Sequence, residues 1–202
     1  MKEKKLKIGI TGNIGSGKSL FSKYVRESGF QVLSADEISK DILANDSEIR
    51  KKIIAKFGKE AFLNNKINKQ YLADKIFTTP ENVFFVNSLL HPKVLDELEK
   101  RMIDCLKNSD LVFVEAALIY ESGMEGMFDY VVLITSNLKL RNERKINFDK
   151  LKAEDFMNRE NHQIKELEKK KRADFIFEND GTKDELKTKA GLLLNILGGL
   201  SN

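Results

Sequence analysis

The segment that most constrains the fold of this chain lies near its start, where glycines alternate with small polar residues. Residues 12–19 have the sequence GNIGSGKS, which fits the spacing G-x-x-x-x-G-K-[ST]. Glycines allow positive φ angles and let backbone N–H groups approach phosphate oxygens without an intervening side chain. A helix that follows such a loop directs the positive end of its dipole at the same anion. The segment therefore predicts a phosphate-binding loop, called the P-loop below.

The flanking residues favour a P-loop over an ordinary Gly/Ser-rich turn. Residues 6–11 have the apolar pattern of a strand, and Phe21 and Val25 recur at helical spacing after the loop. Within the motif, Lys18 is expected to reach the β- and γ-phosphates of a nucleotide, and the Ser19 hydroxyl is expected to ligate Mg²⁺. The sequence therefore predicts a nucleotide site that uses Mg²⁺.

The composition limits the class of protein. The 35 Lys and Arg residues against 31 Asp and Glu residues leave a net charge of +4 over 202 residues, which suits an anionic small molecule and does not require nucleic acid. No apolar run approaches the ~20 residues of a membrane span. Cys105 is the only cysteine, so a disulfide framework is impossible and a reducing cytosol is the simplest setting. We expect a cytoplasmic protein, monomeric or weakly homo-oligomeric, with no nucleic-acid or membrane partner.

Strand-like apolar runs alternate with helical patterns along the chain, which predicts an α/β fold with a central five-stranded parallel sheet. A last helix with an apolar stripe is predicted over residues 183–197. The predicted strands cover residues 6–11, 31–34, 111–114, 130–134 and 175–177.

Two helical segments interrupt this alternation. The gap between the second and third strands is far longer than a crossover helix needs, and residues 37–109 are expected to form a substrate-binding insertion. Pro80 and Pro92 are both expected to begin helices within it. Residues 137–172 are rich in Arg and Lys and are expected to form a mobile helical lid. The remaining residues, 1–36, 110–136 and 173–202, are expected to form the core of one domain.

Asp36 follows the second predicted strand, and ligands of open α/β sheets bind beyond the carboxyl ends of the strands. A carboxylate there can accept the proton of an acceptor hydroxyl during phosphoryl transfer. However, residues 34–37 also fit a capping box with Ser34 at the N-cap and Glu37 at N3. The residues alone leave both interpretations of Asp36 open. Glu115, at the end of the third strand, is likewise open to two interpretations, a water-mediated Mg²⁺ ligand or a residue that forms a surface ion pair or cap.

The chain resembles the dephospho-CoA kinases through motifs that run in order over almost its whole length. Residues 9–19, GITGNIGSGKS, resemble the family opening G-L-T-G-G-I-G-S-G-K-S, and residues 34–39, SADEIS, resemble D-A-D-x-I-A with Ser34 in place of the first acid. Further matches are FG at 57–58, LLHP at 89–92, EAALIYE at 115–121 (with Ala117 where the family has proline), RAD at 172–174 and NDG at 179–181.

The resemblance implies a three-layer P-loop kinase that transfers the γ-phosphate of ATP to the ribose 3′-hydroxyl of dephospho-CoA, giving CoA and ADP in the last step of CoA biosynthesis. It implies that Asp36 is the general base and that Lys18 and Arg144 are catalytic. The implied ATP-binding residues are Asn13, Ile14, Gly15, Ser16, Gly17, Lys18, Ser19, Leu20, Asn179 and Gly181. The implied substrate-binding residues are Thr11, Asp36, His91, Leu118, Glu121 and Arg141.

Alternatives to this interpretation come from two classes. Another small-molecule P-loop kinase with a different acceptor would share most of these features. His91, considered without the family, is suited to local packing or helix capping rather than to substrate binding. A GTPase-type switch would carry D-x-x-G and N-K-x-D motifs, and neither occurs in the sequence.

The predicted lid is where the chain departs most from the family pattern, Q-L-x-R-L-x-x-R followed by a helix ending R-x-x-x-Q. Arg159 and Gln163 fit the ending. Counting back from them places Arg144 at the first lid arginine and Phe148 at the second, whereas counting forward from the strand brings Arg141 near the first. We expect Arg144 to face the phosphates and Arg141 to be more peripheral; without the family, the basic residues at 139–145 would suit an exposed helix face.

Overall fold

A computed structural model describes residues 4–64 and 66–201 of the chain. The strands are β1 (Leu6–Thr11), β2 (Gln31–Ser34), β3 (Phe62–Leu63), β4 (Lys66–Ile67), β5 (Leu111–Glu115), β6 (Tyr130–Thr135) and β7 (Phe175–Glu178). The helices are α1 (Lys18–Glu27), α2 (Ala35–Asn45), α3 (Ser47–Phe57), α4 (Lys69–Ile76), α5 (Pro80–Cys105), α6 (Leu138–Asp149), α7 (Ala153–Asn161), α8 (Glu166–Arg172) and α9 (Lys183–Ser201). None of these described helices is long and apolar enough to cross a membrane.

A five-stranded parallel sheet forms the centre of the first of two compact units, which contains residues 4–34 and 101–201. The strand order is β2-β5-β1-β6-β7, and every neighbouring pair is parallel. The P-loop follows directly from β1 at the middle of this sheet. The register sets Glu115, the last residue of β5, opposite Ile10 of β1 and Ser34 of β2. The five predicted strands and the predicted fold class are confirmed.

Helices α1 and α9 cover one face of the sheet and bury the apolar stripes that the sequence predicts. Phe21 and Val25 of α1 are buried against β1, and the rings of Phe21 and Phe177 lie 5.5 Å apart. The buried residues of α9 include Leu186, Ala190, Leu193 and Leu197. Each fully buried Leu or Phe side chain contributes about 1.5–3 kcal/mol, so this packing holds the P-loop between two well-anchored elements.

Three short helices, α6 to α8, connect β6 to β7 over the segment where a helical lid is expected. Helix α6 begins after Asn137, whose side chain accepts a hydrogen bond from the Lys139 N–H. Phe156 of α7 and Lys169 of α8 are buried. The lysine is notable because a charged side chain is seldom buried without an ionic partner.

The second compact unit contains residues 35–64 and 66–100 and has its own apolar core. Asp46 caps α3, because its Oδ1 accepts hydrogen bonds from the N–H groups of Glu48 and Ile49, each 2.9 Å long. Lys93 pairs with the other oxygen of Asp46 at 2.6 Å. The two-residue strands β3 and β4 form an antiparallel hairpin that the sequence pattern does not predict.

The prediction that a helix begins at Pro92 is wrong, whereas Pro80 does begin one. Helix α5 runs from Pro80 through Pro92 to Cys105. A proline inside a helix costs about 3 kcal/mol, because it removes a backbone donor and crowds the preceding turn. The cost is offset by residues buried at a four-residue spacing on both sides of it: Val86, Leu90, Val94, Leu98 and Met102.

Candidate active site

The P-loop has the backbone conformation of a phosphate cradle. Gly15 and Gly17 have φ angles of 78° and 95°, which side-chain-bearing residues rarely adopt. The Ser16 N–H donates to the Asn13 carbonyl at 3.0 Å and closes the turn. Helix α1 begins at Lys18 without a side-chain N-cap, and the N–H groups of an uncapped first turn suit an anion. Residues 13–19 can therefore surround a phosphate group with backbone donors.

Ser19 and Glu115 come together beside this loop. The Ser19 hydroxyl donates to Glu115 Oε1 at 2.5 Å, and Arg26 lies 3.8 Å from the other carboxylate oxygen. Mg²⁺ prefers oxygen ligands and usually keeps several waters and substrate phosphate oxygens in its shell. Over the described ranges no group of three or more His, Cys, Asp or Glu residues is placed to hold a metal. A hydroxyl and one carboxylate next to a phosphate cradle fit a magnesium ion that is carried with the nucleotide.

Arg141 of α6 lies against the P-loop and is 3% exposed. Its Nη1 donates to the Ile14 carbonyl at 3.2 Å, and its Nε donates to the Ser136 carbonyl at 2.9 Å. Both Nη atoms bond to Glu160 of α7, at 2.6 and 2.9 Å. Burial by itself raises the pKa of Glu160, but the hydrogen bonds and charge of Arg141 bring that pKa below its ordinary value. The expectation that Arg141 is peripheral does not agree with this contact.

Arg144 lies one turn further along α6 and contacts a different segment. Its Nη1 donates to Ser136 Oγ at 3.0 Å, and its Nη2 donates to the Asn179 carbonyl at 2.8 Å. The same Ser136 hydroxyl donates to Asp180 Oδ1 at 2.7 Å, and the Asn137 N–H donates to that oxygen at 2.8 Å. These bonds lower the pKa of Asp180. Arg144 is thus placed where β6 ends and the turn after β7 begins.

Asn179 joins this turn to the P-loop. Its Nδ2 donates to the Ser16 carbonyl at 2.8 Å, and the residue is 7% exposed. A Cβ atom on Gly17 would overlap the same Nδ2. A Cβ atom on Gly181 would overlap the carboxylate of Glu185. Asn179, which the resemblance implies to be an ATP-binding residue, therefore contacts the loop backbone directly.

Helix α7 and the residues after it supply contacts that the sequence does not predict. Glu160 Oε1 accepts a hydrogen bond from Asn13 Nδ2 at 3.2 Å, in addition to its bonds with Arg141. Gln163 Oε1 accepts the Ile14 N–H at 2.8 Å. Gln163 is noticed in the sequence only as part of a family pattern, and Glu160 is one acid in a helix of mixed charge. No sequence signal separates Glu160 from its exposed neighbours.

The segment after β5 carries two of the expected substrate-binding residues, Leu118 and Glu121, and contacts a third, Thr11 at the end of β1. Thr11 is buried, and its hydroxyl donates to the Ala117 carbonyl at 3.3 Å. Glu121 accepts the Ile164 N–H at 2.8 Å and pairs with the buried Lys169 at 2.8 Å. Leu118 is 47% exposed. Within the protein, Thr11 and Glu121 thus already fix this segment to its neighbours, while Leu118 stays accessible.

The remaining expected substrate-binding residues, Asp36 and His91, belong to the second compact unit. Asp36 is exposed in the first turn of α2, two residues after β2 ends. His91 lies inside α5 rather than before it, and its Nε2 is buried with no hydrogen-bond partner among the described residues.

Comparison with protein families and curated proteins gives one consistent result. Residues 6–185 match the family model described as dephospho-CoA kinase. The dephospho-CoA kinase of Bacteroides fragilis is 38% identical over 180 residues, which covers 88% of this chain and 86% of the relative. The dephospho-CoA kinase of Thermus thermophilus is 32% identical over 197 residues, covering 95% of this chain and 92% of the relative.

Solved structures show the same similarity. The crystal structure of TT1252 from Thermus thermophilus superposes with a TM-score of 0.82 at 31% identity, covering 96% of this chain and 98% of the other. Dephospho-CoA kinase from Campylobacter jejuni superposes with a TM-score of 0.66 at 27% identity, covering 95% and 96%. A shikimate kinase from Acinetobacter baumannii, with a TM-score of 0.53 at 16% identity over 98% and 95% of the two chains, shows a shared fold alone.

Proposed function

The chain belongs to the dephospho-CoA kinase family, and from this premise we propose that it transfers the γ-phosphate of ATP to the ribose 3′-hydroxyl of dephospho-CoA. The products are CoA and ADP. The observation that carries the proposal is the family match over residues 6–185, which includes the P-loop and the side chains that contact it. A cytoplasmic location, with ATP and dephospho-CoA as the substrates, completes this proposal.

The P-loop is proposed to bind ATP through its phosphates. Its backbone N–H groups surround the β-phosphate, and Lys18 adds a positive charge that reaches the β- and γ-phosphates. Ser19 and Glu115, whose side chains are hydrogen-bonded at 2.5 Å, would hold Mg²⁺ directly or through water. The bound ion would supply charge neutralisation on the phosphate oxygens.

Asp36 is proposed to be the general base. As the ribose 3′-oxygen forms its bond to the γ-phosphorus, the carboxylate accepts the hydroxyl proton, and the bond to the ADP oxygen breaks. Its exposed position in the first turn of α2, just beyond β2, leaves it accessible to an acceptor. Substrate contact by His91 belongs to the same proposal.

Arg144 is proposed to stabilise charge on the transferring phosphoryl group. The guanidinium of Arg141 is neutralised by its two bonds to Glu160. Arg144 bonds instead to a hydroxyl and a carbonyl oxygen, at Ser136 and Asn179, which carry no net charge. The Asp180 carboxylate, whose pKa the charge of Arg144 helps to lower, compensates part of this charge, but Arg144 remains the better suited of the two to an anionic substrate.

One assay tests the proposed function. Purified protein is incubated with ATP, Mg²⁺ and dephospho-CoA, AMP, CMP or shikimate in separate reactions, and the products are identified by mass. We expect CoA and an equal amount of ADP from dephospho-CoA, with no CoA in the presence of EDTA and little CoA with Lys18→Ala. Phosphorylation of another acceptor without any CoA would assign the chain to a different small-molecule kinase activity.

A further inference from the structure

Two side chains from outside the P-loop each bind one of its carbonyl groups. Arg141 donates to the Ile14 carbonyl at 3.2 Å, and Asn179 donates to the Ser16 carbonyl at 2.8 Å. Both side chains are buried. The two carbonyls belong to the peptide groups that precede Gly15 and Gly17, so the contacts fall on alternate peptide groups of the phosphate cradle.

The orientation of a carbonyl fixes the orientation of the next N–H. A trans peptide group is planar, and its C=O and N–H bonds point in opposite directions. A donor that holds the Ile14 carbonyl therefore directs the Gly15 N–H away from Arg141, and Asn179 does the same for the Gly17 N–H. These are the N–H groups that a P-loop uses to bind phosphate.

The two glycines need such external support because they lack a side chain of their own. Glycine populates positive and negative φ about equally, so neither peptide group is fixed by local sterics. The surrounding residues are close enough to provide the restraint. A Cβ atom on Gly15 would lie 2.6 Å from the Arg141 carbonyl, and one on Gly17 would overlap the Asn179 side chain.

Arg141 is itself held in place by Glu160. The carboxylate binds both Nη atoms of Arg141 and also accepts from Asn13 Nδ2. A buried ion pair often adds little stability compared with apolar residues of the same volume. The pair of Glu160 and Arg141 does have a specific geometric effect, because it holds the guanidinium with Nη1 directed at the Ile14 carbonyl.

We propose that Arg141 and Asn179 are positioning residues that orient the Gly15 and Gly17 N–H groups toward the β-phosphate, and that Glu160 fixes Arg141 for this purpose. The inference rests on the proposed ATP-dependent function. It assigns a role that differs from the substrate binding and the direct ATP contact that the resemblance implies for Arg141 and Asn179. A residue that orients the cradle affects ligands with a β-phosphate, whereas a residue that contacts adenine affects every adenine nucleotide.

The test compares ADP and AMP binding by NMR titration of Asn179→Ala and Glu160→Gln. The matched controls are Asn195→Ala and Glu154→Gln, which make the same changes at exposed positions of α9 and α7. We expect ADP affinity to fall roughly 10- to 100-fold, the factor expected for a hydrogen bond to a charged group, while AMP affinity and both controls change less than about twofold. Glu160→Gln also removes a negative charge, and this change alone would strengthen the binding of the anionic ADP. Weaker ADP binding by this variant is therefore expected only if Glu160 acts by positioning Arg141.

Two results overturn the inference: equal losses of ADP and AMP affinity, or unchanged ADP affinity in a variant that folds. If Glu160→Gln does not fold, Asn179→Ala alone decides between these outcomes. The proposed function is tested by a different result. A wild-type protein that binds ADP but produces no CoA would contradict the assigned reaction, and the ADP and AMP titrations would still test the positioning roles.

Discussion

Replacing Arg141 by methionine isolates the energetics of the buried pair that lies against the P-loop. Methionine matches much of the aliphatic stem of arginine but has no donors. The change removes two charge-assisted hydrogen bonds to Glu160, 2.6 and 2.9 Å long, and one bond each to the Ser136 and Ile14 carbonyls. Glu160 is left as a largely buried carboxylate with Asn13 as a remaining donor.

The expected loss of stability near pH 7 is about 3–5 kcal/mol, the cost of removing one partner of a buried pair. In a chain of this size each kcal/mol lowers the melting temperature by about 2–4 °C, so the melting temperature should fall by about 6–20 °C. Urea unfolding and thermal melting measure both quantities. Arg159→Met, at an exposed position of α7, is the matched control and should change stability by less than about 0.5 kcal/mol.

The pH dependence gives a second, independent readout. In the wild-type protein the pKa of Glu160 is below its ordinary value of 4.5, so the pair contributes stability above that value and loses it as the pH falls through the folded-state pKa. Without Arg141, burial is the largest remaining influence and raises the pKa of Glu160, against weaker lowering by the Asn13 hydrogen bond and the charge of Lys169. The variant then binds a proton on folding, and its stability deficit shrinks as the pH falls toward 4.5 and below.

A double variant tests whether the two charges are coupled. Arg141→Met with Glu160→Leu removes both charges, and apolar replacement of a buried pair is often neutral or stabilising, so the double variant should recover most of the lost stability. A single variant that loses less than about 1 kcal/mol, or a deficit that is the same at pH 7 and pH 4.5, would refute the assignment of Arg141 and Glu160 as a coupled buried pair.

Three further predictions concern activity. Lys18→Ala should abolish most CoA production with an unchanged circular dichroism spectrum, and a kcat within about twofold of wild type would show that the nucleotide site is wrongly assigned. Asp36→Asn should lower kcat by about 10²–10⁴-fold with little change in melting temperature; a variant with normal turnover that has lost ~1 kcal/mol of stability would identify a helix cap instead. Arg144→Ala should lower kcat at least tenfold, about 1.4 kcal/mol of barrier, with a smaller effect on KM, and an effect no larger than that of the exposed Lys187→Ala would contradict its role.

The sheet could be predicted from sequence because its three central strands, β1, β5 and β6, are buried on both faces. Such strands are short continuous apolar runs between turns, and β1, β2 and β5–β7 all lie where these runs predict them. The hairpin of β3 and β4 could not be predicted, because strands of two residues are too short to show alternation. The prediction of a helix start at Pro92 was wrong for another reason. Proline locally favours the start of a helix, and only the tertiary burial of apolar residues on both sides of Pro92 overrides that preference.

The contacts of the candidate site could also be predicted only in part. Contacts that depend on the type of a side chain could be predicted from the sequence, whereas contacts to backbone groups could not. The glycines and Lys18 of the P-loop are visible in the sequence because their chemistry depends on residue type. Arg141, Asn179 and Gln163 instead bind the backbone groups of residues 14 and 16, which every residue type except proline presents in the same form.

The substitution at Ala117 illustrates the consequence for interpreting motifs. The family pattern has proline at this position, so the sequence marks Ala117 as a departure. In the structure, however, its carbonyl accepts hydrogen bonds from the Thr11 hydroxyl at 3.3 Å and from Gln163 Nε2 at 3.5 Å. Proline and alanine present the same carbonyl acceptor, so the change preserves both contacts. Where backbone groups form a site, departures from a motif matter only if they alter the conformation of the chain, and the residues that control that conformation lie elsewhere, in α6, α7 and the turn after β7.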